Sequence, residues 1–165
     1  MLLEKIENNE RGHSGLNFVV IMFMLMCLIC AFMDLMDMAR IKSMTSSQAN
    51  LLGFHACIQS GFKSNVPADW IQFYGDNGKY LTSVKAIDNL NKLSKKTRAI
   101  STKATLGGTN LSSSPVINWR DESVLTVESK FQLKYLTAFG LMNDVYTHTS
   151  SYDVIGYWVH KTTIL

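Results

Sequence analysis

Residues 16–33 read Leu16-Asn17-Phe18-Val19-Val20-Ile21-Met22-Phe23-Met24-Leu25-Met26-Cys27-Leu28-Ile29-Cys30-Ala31-Phe32-Met33, and after Asn17 no charged or amide side chain interrupts them. Rising about 1.5 Å per residue, such a helix just crosses a hydrocarbon core of roughly 30 Å. A secretory signal peptide is the competing interpretation of an N-terminal apolar run. Such peptides carry an apolar core of about 7–15 residues and end at a small-x-small cleavage site. This run is longer, and it ends in Phe32-Met33-Asp34-Leu35-Met36-Asp37, which offers no small pair. The expectation is a retained anchor over residues 13–34, behind a polar leader of residues 1–12. Its orientation is not set by charge. Lys5 and Arg11 precede the span and Arg40 and Lys42 follow it, so the positive-inside count ties.

The helical pattern continues past the span. Leu35, Met38, Ile41, Gln48, Leu52 and Ala56 return at spacings of three, four and seven, an imperfect apolar stripe. No proline occurs before Pro67, and Gly61 is a suitable stop. One helix over residues 16–60 would be ~67 Å long, about twice the bilayer core. Half of it is expected to project as a helical stalk over residues 35–61.

From residue 66 to 165 the texture is that of strands and turns. Asp76-Asn77-Gly78 lies between two aromatic-rich runs, a hairpin signal. Val84, Ile87, Leu90 and Leu93 predict a short amphipathic helix over residues 83–98, followed by a strand at 100–106 and a polar loop at 107–115. Over residues 127–135, Val127, Ser129, Phe131, Leu133 and Tyr135 alternate with Glu128, Lys130, Gln132 and Lys134, a strand with one wet face. Residues 154–165, with Tyr157 and Trp158, predict a last strand. The fold class expected is α+β: a long N-terminal helix, then a small antiparallel β-rich domain.

The chain has 165 residues and a formal charge of +3, and its one tight basic cluster is Lys95, Lys96 and Arg98. That cluster suits a solvated helix end. A nucleic-acid surface needs a larger patch to release counterions, so no nucleic-acid partner is expected. Cys27 and Cys30 fall inside the apolar run and act as small hydrophobes. Cys57 is then the lone external thiol, expected to be buried and structural, with a link between two chains as the alternative, and no disulfide framework follows.

The search for chemistry is mostly negative. His13, His55, His148 and His160 stand at no metal-ligand spacing from Cys, Asp or Glu, although His148 and His160 would approach if their strands pair. The Ser46-Ser47 pair and the Ser112-Ser113-Ser114 run lack a nucleophile elbow, and Gly107-Gly108 lacks the lysine of a phosphate loop. Asp34 and Asp37 lie one turn apart and are expected to be solvated at the membrane edge. No catalytic residue, metal site or cofactor is expected, and the chain is not expected to be an enzyme.

The residues that open the span carry a family resemblance. Arg11-Gly12-His13-Ser14-Gly15-Leu16-Asn17-Phe18 leads directly into the apolar run. This resembles the N-terminus of TadE-like minor pseudopilins and of type IV pilin-like proteins more broadly. In those families a polar leader ends in glycine, and a glutamate is the fifth residue of the mature chain. The resemblance implies cleavage between Gly12 and His13 by a prepilin-type peptidase, with Asn17 in the glutamate position and Phe18 after it as helix-assembly residues. Two features depart from the family: Asn17 supplies no carboxylate, and the leader carries Glu4, Glu7 and Glu10. An amide can accept one hydrogen bond from a neighbouring subunit's amine but brings no charge to the pairing. The alternative role for Asn17 is a polar residue at the membrane interface.

The function implied is a minor pilin-like or pseudopilin subunit of a surface pilus, a secretion or a conjugation apparatus. Its partners would be the lipid bilayer, other pilin-like subunits or apparatus membrane proteins. It would sit in the cytoplasmic membrane with its C-terminal domain outside the cytoplasm. The alternative is a monomeric membrane-tethered binding or sensory domain.

Overall fold

Ile41, Thr45, Ala49, Leu52, Ala56 and Gln59 recur every three or four residues, and all are buried. A helix that hides one side chain per turn along a single stripe must lie against something. In the computed structural model, which describes residues 2–64, 80–141 and 144–157, with side chains from residue 15 onward, these residues belong to helix α1, Leu2–Gln59. The chain divides into two units: residues 1–38 with 133–143, and residues 39–132 with 144–165.

In the second unit, α1 ends where Ser60 and Gly61 turn left-handed, at φ 51° and 113°. The Gly61 N–H reaches back to the Ala56 carbonyl at 2.9 Å. Only glycine fits at position 61, because the Pro115 carbonyl occupies the space a Cβ would need. Helix α2, Ser83–Thr97, begins at Thr82, whose hydroxyl accepts the Lys85 N–H at 3.3 Å, and ends at Arg98 in the left-handed region. Its buried residues are Ser83, Ala86, Leu90, Leu93 and Thr97, whereas Val84, expected on the apolar stripe, is exposed.

The sheet is antiparallel throughout, in the order β2-β1-β3-β4. Its strands are β1 (Ser101–Leu106), β2 (Thr109–Asn110), β3 (Glu122–Gln132) and β4 (Val145–Ile155). The expected loop at 107–115 holds β2 and a single 3-10 turn, Leu111–Ser113, that buries Leu111. Strand β3 alternates as expected, with Leu125, Val127, Ser129 and Phe131 inward. The core joins Ala49, Leu52 and Ala56 of α1 to Ala86 and Leu90 of α2. Ala104, Leu106, Leu125, Val127 and Val154 of the sheet complete it, with Phe62, Leu81, Leu111 and Ile117. Cys57 is half-buried at its edge. The segment expected to project as a stalk therefore supplies, over residues 41–59, one wall of this core.

Thr45 and Gln59, buried on the core face of α1, are both paired. The Thr45 and Ser129 hydroxyls lie 2.8 Å apart, and Thr102 Oγ1 is 3.3 Å from the same Ser129 oxygen. Gln59 accepts the Leu81 N–H at 2.8 Å and donates to the Leu81 carbonyl at 3.0 Å, so a side chain does the work of a strand neighbour. Gly53 is pressed against the Tyr152 ring, where a Cβ would overlap ring atoms.

In the first unit, residues 15–38 of α1 accompany a short helix, α3 (Lys134–Ala138). Leu133 and Tyr135 were expected to extend strand β3. Instead β3 stops at Gln132, where its last β4 partner is Val145, and the chain turns helical. Among the described residues the last strand is β4, which ends at Ile155, and residues 158–165 of the strand expected over 154–165 lie outside the described residues. The hairpin expected at residues 76–78, Trp158 and His160 lie outside the described residues.

Candidate functional site

Between residues 15 and 36, α1 presents large apolar side chains with no protein cover. Leu16, Phe18, Val19, Ile21, Met24, Leu28 and Phe32 are all more than 60 % exposed, and mean hydropathy peaks at 2.7 over an 18-residue window in which nothing is buried. Burying a single such side chain stabilises by about 1.5–3 kcal/mol, and soluble monomers rarely leave a patch beyond a few hundred Å² open to water. The surface requires an apolar partner. Among the described residues this is the one helix long and apolar enough to cross a membrane, as a single-pass anchor does.

The residues implied by the resemblance all fall on α1. Gly12 and His13 lie within its helical backbone, in the part whose side chains are not described. Asn17 and Phe18 are exposed, at the start of the apolar run. An exposed amide at this position is open to a hydrogen-bond partner from outside the chain.

The first unit also contains a polar latch that the sequence did not disclose. Asp34, expected at the solvated membrane edge, is 2 % exposed. Its two carboxylate oxygens accept the N–H groups of Tyr135 and Leu136 at 3.1 and 2.8 Å. These are first-turn donors of α3, whose own cap residue, Leu133, supplies no side-chain bond. At the other end, Gly140, at φ 69°, and Leu141 donate to the Thr137 and Leu136 carbonyls, closing the helix in a Schellman turn. The available signal was spacing: Asp34, Met38, Ile41 and Thr45 share a stripe at intervals of four, three and four. Leu35, assigned to that stripe from sequence, is 58 % exposed, and Asp37 is exposed too.

In the second unit, the two remaining described histidines are both held below the usual imidazole range. Burial lowers His55, partly offset by its hydrogen bond with Gln59. Burial and the Lys42 charge lower His148, which faces Ser129 across β3 and β4. No group of three His, Cys, Asp or Glu side chains that can hold a metal ion occurs among the described residues. Two open grooves, one between α2 and β1 and one between α1 and α2, are lined without any carboxylate, histidine or cysteine. Comparison with family models, curated proteins and solved structures finds no match to this chain.

Proposed function

We propose that the chain is a non-enzymatic, membrane-anchored subunit of pilin-like type, serving a surface pilus, a secretion or a conjugation apparatus. The observation that carries this reading is the division of labour along α1. The large apolar side chains of residues 16–33 are uncovered, while residues 41–59 of the same helix build the core of the α+β unit. A helix of that kind serves first as anchor in lipid and then as packing surface between subunits, with the folded unit outside the cytoplasm. Met22, Met24, Met26 and Met33 supply adaptable side chains for both settings. The resemblance of residues 11–18 adds the processing step: a prepilin-type peptidase cuts after Gly12, and the amine freed on His13 of one subunit meets Asn17 of another.

Asn17 itself favours a second reading, a monomeric tethered binding domain. Without a carboxylate, the pairing that offsets a buried charge and sets subunit register is weaker. Substitution at this position separates the two. Asn17→Leu removes a contact worth about 0.6–2 kcal/mol between helices in a membrane. In a pilin-like subunit, recovery of membrane partners in co-purification falls while insertion is retained, and Asn17→Glu restores or strengthens it. Unchanged co-purification with both variants, each still in the membrane, supports the monomeric tether.

A further inference from the structure

We propose that residues 133–141 form a second membrane contact, an interfacial foot whose Phe139 and Leu141 enter the boundary between lipid headgroups and acyl chains beside the span. The inference rests on residues 15–36 being a membrane span. Depth comes from the helix itself. Twenty residues of rise from Leu16 to Met36 equal ~30 Å, the thickness of the hydrocarbon core. The level of Asp34 is therefore the membrane boundary. Leu35 and Met36, 58 % and 60 % exposed, show that the apolar surface continues to that level on the other faces of α1. On the remaining face stands the Asp34 carboxylate, and the segment bonded to it through Tyr135 and Leu136 is held at the same height.

The segment has the composition of an interface. Tyr135 and Phe139 are aromatic, Lys134 places its ammonium 5.6 Å from the Tyr135 ring, and Leu136 and Leu141 add aliphatic surface. Aromatic rings and lysines with apolar stems are the side chains that settle at the headgroup level. Phe139 and Leu141 are 37 % and 59 % exposed. The backbone is prepared for scarce water as well. Asp34 takes two of the N-terminal donors, and the Schellman turn takes two of the last carbonyls. Elements in contact with lipid must satisfy such groups internally. A lipid surface is therefore the occupant, and it is continuous with the surface that receives the span.

The test places a nitroxide at Leu141→Cys in the full chain, with Cys27, Cys30 and Cys57 changed to alanine. The protein is reconstituted in phosphatidylcholine–phosphatidylglycerol vesicles. Labels at Leu28→Cys in the span and at the exposed Ser112→Cys give the lipid and water references, and Phe139→Cys replaces Leu141→Cys if that variant does not fold. The ratio of oxygen to nickel-chelate accessibility at position 141 is expected to exceed that at 112 several-fold and to stay below that at 28, as a label at the boundary does. A water-like ratio at 141 with a lipid-like ratio at 28 overturns the foot and leaves the span intact. Water-like ratios at both positions remove the span and the foot with it. Low collision with both reagents at 141 means that protein, such as a second copy, covers the segment, and it also overturns the proposal.

Discussion

Asp34 Oδ2 accepts the backbone N–H of Leu136, 102 residues later in the chain, at 2.8 Å. Its other oxygen takes the Tyr135 N–H, so one carboxylate supplies the N-terminal cap that α3 lacks locally. Asp34→Ala leaves two donors without partners. Hydrogen bonds to charged groups contribute about 1.5–3 kcal/mol, and that much protection should be lost locally. Amide exchange at Tyr135 and Leu136 is expected to quicken markedly while exchange in β3 is unchanged. Equal exchange in wild type and variant would show that the latch does not hold the segment.

Gly53 meets Tyr152 on the buried face of α1. Alanine is the better helix former by about 0.8–1.0 kcal/mol, but overpacking a filled site costs about 1–3 kcal/mol. Gly53→Ala is therefore expected to lower the denaturation midpoint of the full chain in detergent. A Tyr152→Gly background removes the ring and also the Tyr152 Cβ, 2.9 Å from the added methyl, and there the same substitution should become neutral or stabilising. A double-mutant cycle reads this change of sign. The same effect in both backgrounds rules out the close approach as the reason for glycine.

The uninterrupted run at 16–33, the α2 stripe and the alternation through Phe131 were legible because each is a local pattern on one element. What stayed hidden depended on distant partners. Asp34 reads as a solvated acid until the N–H groups of Tyr135 and Leu136 arrive from the far end of the chain. The period-two pattern carries on through Leu133 and Tyr135, yet the strand ends where its ladder with β4 runs out at Val145. Strand β4 has only a weak apolar face: His148 and Ser150 interrupt Tyr146, Tyr152 and Val154 on the inward side and only Val154 is fully buried, so its pairing with β3 defines it. At the candidate site, Gly12, His13, Asn17 and Phe18 were singled out by resemblance and not by any chemistry of their own.

His55 and His148 make the second unit sensitive to acid. Both are depressed by burial, so folding favours the neutral rings. Above the ordinary imidazole pKa of about 6.5, folded and unfolded chains are both neutral at these positions and stability is full. As pH falls below that value, the unfolded chain takes up protons first, and stability is lost down through the folded-state values. Denaturation midpoints measured from about pH 7.5 to about pH 5 are expected to fall, and His55→Gln with His148→Gln should flatten the slope. An unchanged slope in the double variant would assign the acid sensitivity to other groups.

The membrane-anchored, pilin-like account makes its sharpest claim at the N-terminus, where the intact mass of the protein recovered from membranes gives a direct answer. Processing predicts a chain that begins at His13, lighter than the full translation product by the mass of residues 1–12, and a Gly12→Val variant that keeps them. Wild type and variant of equal processing, both still beginning at Met1, would contradict the account and leave a tethered domain. A start beyond Phe32 would contradict the retained anchor as well.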